Sequence, residues 1–397
     1  MSSKTEVSVT TKAARARPEH ELLLCCARVR AGEEVRERIV GLVRQNLDWE
    51  YLSQLAKRHA VLPLLYRQLD ASAAAEVPAA PLERLRAKFR DNAARNLYLT
   101  GELERIITLF KAEGVEVLPY KGPALAAAAY GQISLRRFVD LDILVGKRDI
   151  PRAKELLRAR GFRPTLDLSP AQERLLLRAQ HNLPFARDGG RLLVELHWEV
   201  ASKQFAPASF GEGFGVGRET VKLLNLEVES LSPEDLLLSL CVHGTKHLWE
   251  RLAWICDLAE LVRSRPRMDW QALSERARKL RAERMLNLGL RLALELLDAP
   301  LPDEVKRRVK ADAAAGELAA RVRERLFDDE YGPAGLLQSM SFNLRARRDW
   351  RDKARYLGFI FTPTDGDLGA LRLPAALTFV YYLVRPFRLL LKGGGVE

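Results

Sequence analysis

Two acidic residues separated by a single leucine lie in an apolar segment of the chain. Asp140 and Asp142 belong to the sequence VDLDILV at residues 139–145, whose alternating pattern predicts a β-strand. Alternate side chains of a strand point to the same face, so the two carboxylates would lie side by side. Such a pair repels unless a cation lies between its members. Mg²⁺, with Mn²⁺ as an alternative, is the expected cation, and a solvated edge strand is the structural alternative.

A third acid lies in a second predicted strand, LVELH at residues 193–197. Glu195 and His197 share one face of this strand, so His197 is expected either to lie near Glu195 or to pack on the strand. If the two strands are neighbours, Glu195 would join Asp140 and Asp142. Three carboxylates can hold two metal ions, which stabilise the attacking and leaving oxygens of a phosphoryl transfer. We therefore predict that all three acids are metal ligands and catalytic residues.

Basic residues lie upstream of the acidic strand. Lys121 and Gly122 stand between a short β-prone segment and an alanine-rich helical one, and the N-terminus of a helix favours anions. Arg136 and Arg137 lie just before the acidic strand and are expected to neutralise nucleotide phosphates, with solvated loop cations as the alternative. We predict that Lys121, Gly122, Arg136 and Arg137 bind a nucleotide.

Two histidines lie further along the chain. His243 and His247 are four residues apart on a predicted helix, so they share a face. The Gly-Thr-Lys between them lacks the glutamate of a zinc-protease His-Glu-x-x-His motif, which argues against a metalloprotease. They either satisfy buried hydrogen bonds or line the nucleotide cleft, and we predict that they bind the nucleotide together with His197. Three tryptophans are predicted core residues, with stacking of one on a nucleobase as the alternative: Trp198, Trp249 and Trp254.

The pattern around these residues predicts an α+β fold. Helical periodicity dominates both ends of the chain, whereas the middle alternates short strands with helices and contains a hairpin with a glycine-rich turn. A small mixed β-sheet domain is therefore expected between N-terminal and C-terminal helical regions. The predicted divisions are a disordered tail at 1–18, helices at 19–113, the sheet domain at 114–230, helices at 231–355 and a C-terminal segment at 356–397.

The composition is that of a globular protein with a basic surface. Of 397 residues, 47% are hydrophobic and 29% are charged, and 64 Lys and Arg against 52 Asp and Glu give a net charge of +12. This charge favours phosphate-bearing partners, and a solvated surface is the alternative. Residues 1–18 lack the apolar region of a signal peptide, and the four cysteines lack paired spacing. We therefore expect a cytoplasmic protein with reduced thiols.

The longest apolar run occupies residues 373–384 of the C-terminal segment and is too short to span a bilayer. Arg385, Arg388 and Lys392 follow it. This pattern predicts a basic amphipathic helix, which would contact a membrane peripherally or pack on the protein body. Packing would use the large apolar side chains of the segment, which are Phe379, Tyr382, Leu383 and Phe387.

The motifs together resemble a known family. The matching segments are residues 118–125 (LPYKGPAL), Tyr130, residues 135–137 (LRR) and residues 139–145 (VDLDILV). They resemble the uncharacterised nucleotidyltransferase family with a lysine–glycine loop, a divergent branch of the DNA polymerase beta-like nucleotidyltransferases. Residues 194–198 (VELHW) resemble the family's third-acid strand, where aspartate commonly stands. The helical part of the family resembles residues 233–238, His243, His247 and residues 254–257 of this chain. The resemblance covers about residues 48–300.

The resemblance implies Mg²⁺-dependent transfer of a nucleoside monophosphate from an NTP, with ATP the expected donor, to a hydroxyl of a small molecule, peptide or protein. By the family's motif, Asp140 and Asp142 would hold the metals, and Glu195 would be the third ligand or the base that activates the acceptor. Lys121 and Gly122 would replace the Gly-Ser loop of the wider superfamily. The chain departs from that loop because no serine follows Gly122.

Three other functions are compatible with parts of this pattern. A metal-dependent glycosyltransferase also uses an Asp-x-Asp motif, but it would need a βαβ nucleotide-binding half before the motif, where this chain is predicted to be helical. A nucleotide-binding or regulatory module would keep the acids without turnover. Nucleic-acid binding would use the positive charge, but the basic residues are dispersed and no recognition motif is present, so no sequence-specific nucleic-acid partner is expected.

Overall fold

Five helices form the N-terminal part of the computed structural model, which describes residues 17–201, 204–205, 217–328, 332, 334–371 and 373–391. They are α1 (Pro18–Cys26), α2 (Glu33–Val43), α3 (Trp49–Arg58), α4 (Leu62–Ser72) and α5 (Ala79–Ala112). Asp48 caps α3, because its carboxylate accepts a hydrogen bond from the backbone N–H of Tyr51 at 2.9 Å. The predicted tail at 1–18 lies outside the described residues except for Arg17 and Pro18.

A five-stranded mixed sheet carries the acidic residues. Its strands are β1 (Val117–Pro119), β2 (Asp140–Val145), β3 (Arg163–Pro164), β4 (Asn182–Arg187) and β5 (Leu192–His197). The order across the sheet is β1-β2-β5-β4-β3. Strands β2 and β5 are parallel neighbours, whereas the other neighbouring pairs are antiparallel. The helices of this module are α6 (Gly122–Leu125), which continues into a π-helical turn at Ala126–Tyr130, α7 (Ile150–Ala159) and α8 (Pro170–Ala179).

A separate hairpin and a second set of helices complete the chain. The hairpin strands are β6 (Arg218–Lys222) and β7 (Glu227–Leu231). The helices are α9 (Pro233–Lys246), α10 (Leu252–Ser264), α11 (Trp270–Lys279), α12 (Glu283–Leu297), α13 (Asp303–Ala311), α14 (Ala313–Leu326), α15 (Leu336–Arg345), α16 (Trp350–Leu357), α17 (Asp365–Ala370) and α18 (Val380–Leu391). The observed architecture therefore confirms the predicted α+β class with a small mixed sheet between helical regions.

Two hydrophobic cores hold these elements together. The N-terminal helices and the C-terminal helices share one core, in which Leu65 of α4 and Leu258 of α10 are both fully buried. The sheet has its own core, formed by residues such as Ile143 and Leu196 together with the second half of α5. Because the two helical regions share one core, they form a single helical body and not two independent ones.

The C-terminal segment is docked by polar contacts. In α18, Arg385 and Arg388 both pair with Asp367, at 3.1 and 2.8 Å, and Tyr381 accepts a hydrogen bond from Gln172 at 2.7 Å. The four large apolar residues that were predicted to pack on the protein do not do so, whereas Leu389 of α18 is buried. Phe379, Tyr382, Leu383 and Phe387 are all exposed, because the ion pairs and Tyr381 turn the opposite face inward.

These ion pairs also bear on the predicted peripheral contact with a membrane. They engage two of the three basic residues that were expected to face the lipid, so these two are not available to bind it. The third, Lys392, lies outside the described residues. None of the described helices is long and apolar enough to cross a membrane. Peripheral contact through the exposed apolar face of α18 stays a prediction.

Candidate active site

The parallel pairing of β2 and β5 brings the predicted acids together. Asp142 lies directly opposite Glu195 in the register, and Asp140 lies opposite Leu193. Leu141 and Ile143 point to the other face of β2, where they are buried in the core of the sheet. The strand therefore has one apolar face that anchors it and one acidic face, because alternate residues point in opposite directions.

Asp142, Glu195 and His197 form a tight group on this acidic face. Each offers one ligand atom, and these atoms lie within 4.8 Å of one another. His197 Nε2 lies 3.1 Å from Asp142 Oδ1 and 3.1 Å from Glu195 Oε2. Asp140 is not a member of this group, so the closest trio differs from the expected three carboxylates. His197 takes the third place because it follows Glu195 by two residues on the same face of β5.

The Lys121–Gly122 loop closes one side of the group. Lys121 Nζ lies 3.3 Å from Asp142 Oδ1, so a lysine predicted to contact phosphate pairs with a carboxylate in the free protein. Gly122 has φ of +50°, and a Cβ at this position would lie 3.1 Å from the backbone oxygen of Asp140. Only glycine adopts this conformation and this close approach without strain. The loop is therefore held directly against the start of β2.

Charge is balanced unevenly between the two aspartates. Burial raises the pKa of Asp142, but Lys121 and His197 more than offset this effect and hold the pKa well below its usual range. At Asp140, burial and the carboxylates of Asp142 and Glu195 raise the pKa to about 6. The negative charge of Asp142 is thus balanced by Lys121 and His197. At Asp140, Lys121 and Arg136 offset the effect of burial and of the neighbouring carboxylates only in part.

This imbalance fits a divalent cation. The carboxylates supply the oxygen ligands that Mg²⁺ prefers, and a bound cation would relieve the repulsion that raises the pKa of Asp140. The imidazole of His197 adds a nitrogen donor that suits Mn²⁺ and other transition metals better than Mg²⁺. The donor set therefore fits Mg²⁺ through Asp140, Asp142 and Glu195, with Mn²⁺ also accommodated.

Neighbouring polar residues fix Glu195 and His197. Asn182 of β4 donates a hydrogen bond to Glu195 Oε2 at 2.9 Å, because the antiparallel pairing of β4 and β5 sets Asn182 opposite His197. Burial alone would raise the pKa of Glu195, but the contact with His197 has the larger effect and lowers the pKa overall. The carboxylate is therefore ionised at neutral pH. Asn182 was not predicted as a site residue, since only the pairing of its strand with β5 reveals it.

A cavity of about 1090 Å³ opens in front of the acidic face. It is large enough for a nucleotide and an acceptor, since ligand sites usually measure about 300–1,000 Å³. Its walls come from α3, the Lys121 loop, β2, β5, α9, α10 and the segment before and within α17. The cationic residues that line it are Lys57, Arg58, Lys121, Arg136, Arg137, Lys246 and Arg251.

Arg136 is engaged within the protein. Its Nε and Nη2 lie 2.8 and 3.0 Å from the two oxygens of Asp257, and Tyr130 donates a hydrogen bond to Asp257 at 2.7 Å. Asp257 is fully buried, so the pair ties the sheet module to α10. The predicted phosphate contact of Arg136 stays a prediction, as does that of Arg137, which also lines the cavity.

The two predicted histidines also line the cavity, on the wall formed by α9 and α10. The ring centres of His243 and His247 are 4.7 Å apart, and Trp254 lies 5.4 and 5.5 Å from them. Burial and neighbouring cations lower the pKa of His243 well below its usual range and that of His247 to about 3. Both imidazoles are therefore neutral. They are brought to the same cavity as the carboxylates.

Several charged residues of the cavity were not predicted, and Lys246 and Asp365 are two of them. Lys246 lies on the same face of α9 as His243, and Asp365 begins α17. Burial and Glu195 raise the pKa of Asp365 to about 6, and burial and Lys121 lower that of Lys246. The sequence could have predicted Lys246, because a residue three positions after His243 lies on the same face of a helix. No local pattern in the sequence predicted that Asp365 lies near the sheet.

The family profile described as uncharacterised nucleotidyltransferase matches residues 45–298, which is more than half of the chain. The chain therefore belongs to this family, and nucleotidyl transfer is the general activity that membership supports. No curated protein and no solved structure matches the chain. Asp365 and the rest of the C-terminal segment lie beyond the matched residues.

Proposed function

We propose that this chain, as a member of the uncharacterised nucleotidyltransferase family, transfers a nucleoside monophosphate from an NTP to an acceptor hydroxyl in a reaction that requires Mg²⁺. ATP is the expected donor, and the acceptor is a small molecule, a peptide or a protein. The observation that carries this proposal is the pairing of Asp142 with Glu195 across two parallel strands, at the base of a cavity lined by cations.

Asp140, Asp142 and Glu195 would hold the metal. A bound divalent cation supplies charge neutralisation at the phosphate oxygens and at the leaving group. Lys121, which pairs with Asp142 in the free protein, lies where it can turn toward an anionic phosphate. Arg137 and Lys246 add positive charge around the same cavity, which favours the triphosphate.

The chemical step forms one bond and breaks one. The acceptor oxygen attacks the α-phosphorus, the bond between that phosphorus and the oxygen bridging to the β-phosphate breaks, and pyrophosphate leaves. The acceptor proton passes to a base, and Glu195 is the candidate when it is not a metal ligand. Asn182 and His197 both contact Oε2 of Glu195, so they orient this carboxylate toward the cavity.

The rival glycosyltransferase is not favoured by the fold. It would need a βαβ unit before the Asp-x-Asp motif. Within the described residues before Asp140, the chain forms helices and the short strand β1, which pairs antiparallel with β2. A nucleotide-binding module without turnover would use the same cavity and is separated from the proposed enzyme by experiment.

Labelled nucleotides test the proposal. Purified protein with Mg²⁺ and each of the four NTPs, incubated with fractionated cell extract, is expected to move label from the α-phosphate into a product and to release pyrophosphate. Label moving from the γ-phosphate would indicate a kinase, and transfer from a labelled nucleotide-sugar would indicate the glycosyltransferase. Binding of NTP without any transfer in any fraction would favour the regulatory module.

The expected surroundings of the enzyme are part of the proposal. All four cysteines are free thiols, as a reducing cytoplasm would allow. A sequence-specific nucleic-acid partner is not expected, and the basic surface is assigned to nucleotide attraction. Peripheral membrane contact through α18 would rely on apolar burial, since Arg385 and Arg388 are paired with Asp367.

A further inference from the structure

One wall of the cavity is aromatic and uncharged. His243 lies in the last turn of α9, His247 directly follows this helix, and Trp254 is the third residue of α10. The three rings lie within 4.7 to 5.5 Å of one another, and all three residues line the same cavity as Asp142 and Glu195. Trp254 also packs against the helical core, so one part of its indole is fixed while another faces the cavity.

The charge of this wall differs from that of its surroundings. Burial keeps both imidazoles neutral, and Lys121 and Lys246, which are close enough to act electrostatically on both rings, reinforce this state. Neutral aromatic rings are suited to bind a flat, uncharged ring by stacking. The cations beside them are suited to bind an anion. The wall and its flank thus match the two halves of a nucleotide.

Arg251 lies beside Trp254, so a base that stacks on the indole must either displace Arg251 or stack against it as well. Its guanidinium lies 5.7 Å from the centre of the indole ring of Trp254, and Arg251 is exposed, so it has room to move aside. Guanidinium planes also stack on bases. A base on Trp254 could therefore lie between the indole and Arg251 without a change in the backbone.

We propose that His243, His247 and Trp254 form the binding site for the base of the nucleotide, with the triphosphate directed toward Lys121 and the acidic strands. This inference rests on the proposed function. The site recognises the base through its face, so it accepts all four bases and binds the larger purines more tightly than pyrimidines. The aromatic wall thereby holds the base of the donor nucleotide, whereas the acceptor binds elsewhere in the cavity.

Two probes separate base binding from phosphate binding. ATP carries both groups, whereas inorganic triphosphate carries only the phosphates, and the affinity of each is measured by calorimetry with Mg²⁺. Trp254→Leu is expected to weaken ATP binding about tenfold or more, the effect of losing one stacking contact, and to leave triphosphate binding unchanged. Trp254→Phe keeps an aromatic face and is expected to retain most of the affinity. The control is Trp350→Leu, because Trp350 is exposed and does not line the cavity.

The outcomes are distinguishable. If wild-type protein binds neither probe, the proposed function fails and the base site fails with it. If wild-type protein binds both probes and Trp254→Leu weakens both equally or neither, the proposed function stands and the base site is refuted. Should Trp254→Leu fail to fold, photolabelling of wild-type protein with 8-azido-ATP decides the question. Label in the peptide spanning residues 243–254 supports the site, and label confined to other peptides overturns it.

Discussion

Replacing Asp140 with asparagine is expected to stabilise the metal-free protein, whereas replacing Asp142 is expected to destabilise it. The two residues look alike in the sequence, and mutual repulsion alone would predict that removing either carboxylate is favourable. The structure separates them because Lys121 and His197 contact Asp142 at 3.3 and 3.1 Å. At Asp140, burial and the carboxylates of Asp142 and Glu195 raise the pKa, and nearby cations offset this rise only in part.

The size of the Asp140 effect follows from its pKa. A rise from 3.8 to about 6 means that the ionised carboxylate costs up to about 3 kcal/mol of folding stability at pH 7.5. A raised pKa makes the folded state bind the proton more tightly than the unfolded state does. The cost is therefore fully present above the folded pKa, falls to about half at pH 5, and vanishes below pH 4. Asp140→Asn removes the cost, so its stabilising effect must shrink in the same way as pH falls.

Asp142→Asn acts in the opposite direction. It removes the carboxylate that Lys121 contacts and leaves His197 with its contact to Glu195 alone. Because His197 is only 2% exposed, a loss of about 3 kcal/mol is expected from breaking this buried group. Urea unfolding in EDTA, at pH 7.5 and pH 5, measures both variants against wild type. Equal signs for the two variants, or an Asp140→Asn effect that does not change with pH, would refute the assigned charge balance.

Three further perturbations test other parts of the structure. Asp257→Asn leaves Arg136 buried without its charged partner and should lower the stability of the protein by about 3–5 kcal/mol. Thermal unfolding measures this loss of stability. A change below about 1 kcal/mol would show that the pair does not join the sheet to the helices. Gly122→Ala places a Cβ 3.1 Å from the backbone oxygen of Asp140, at a residue with a left-handed conformation. The substitution should lower the stability of the protein by about 1–3 kcal/mol and should also lower the affinity for NTP, which calorimetry measures. Unchanged affinity would contradict the role of the loop. Sedimentation with vesicles should fall for Phe387→Ser, because Phe387 is 68% exposed in wild type and apolar burial would carry the contact. Equal sedimentation of wild type and Phe387→Ser would refute contact through α18.

Local patterns in the sequence were sufficient to predict the two strands that carry the acidic residues. The alternation around Asp142 and Glu195 predicted both strands and the face that each acid occupies. The parallel register that sets these two residues opposite each other also agrees with the expected convergence. Such patterns succeed here because one face of each strand is buried, which fixes the orientation of every side chain.

Contacts between distant segments were not predictable in the same way. Arg136 and Asp257 are 121 residues apart, and the sequence shows only an aspartate within the apolar helix α10. The difference between Asp140 and Asp142 depends on where Lys121 reaches, which no local pattern determines. In the C-terminal helix, Arg385 was expected to face outward, but pairing with Asp367 buries it. In each case a buried ion pair decided the arrangement, and its two members lie on separate elements.

The central claim is that the group formed by Asp142, Glu195 and the residues around them carries out nucleotidyl transfer. The most direct measurement compares α-labelled ATP turnover, in the presence of the active extract fraction and Mg²⁺, for wild type, Asp142→Asn and Glu195→Gln, each shown to be folded by circular dichroism. Asp303→Asn serves as the control, since the Asp303 side chain is 82% exposed. Wild type and Asp303→Asn are expected to release one pyrophosphate for each labelled product, and the two site variants are expected to release none. Turnover at the wild-type rate in Asp142→Asn and Glu195→Gln would contradict the assignment of this site.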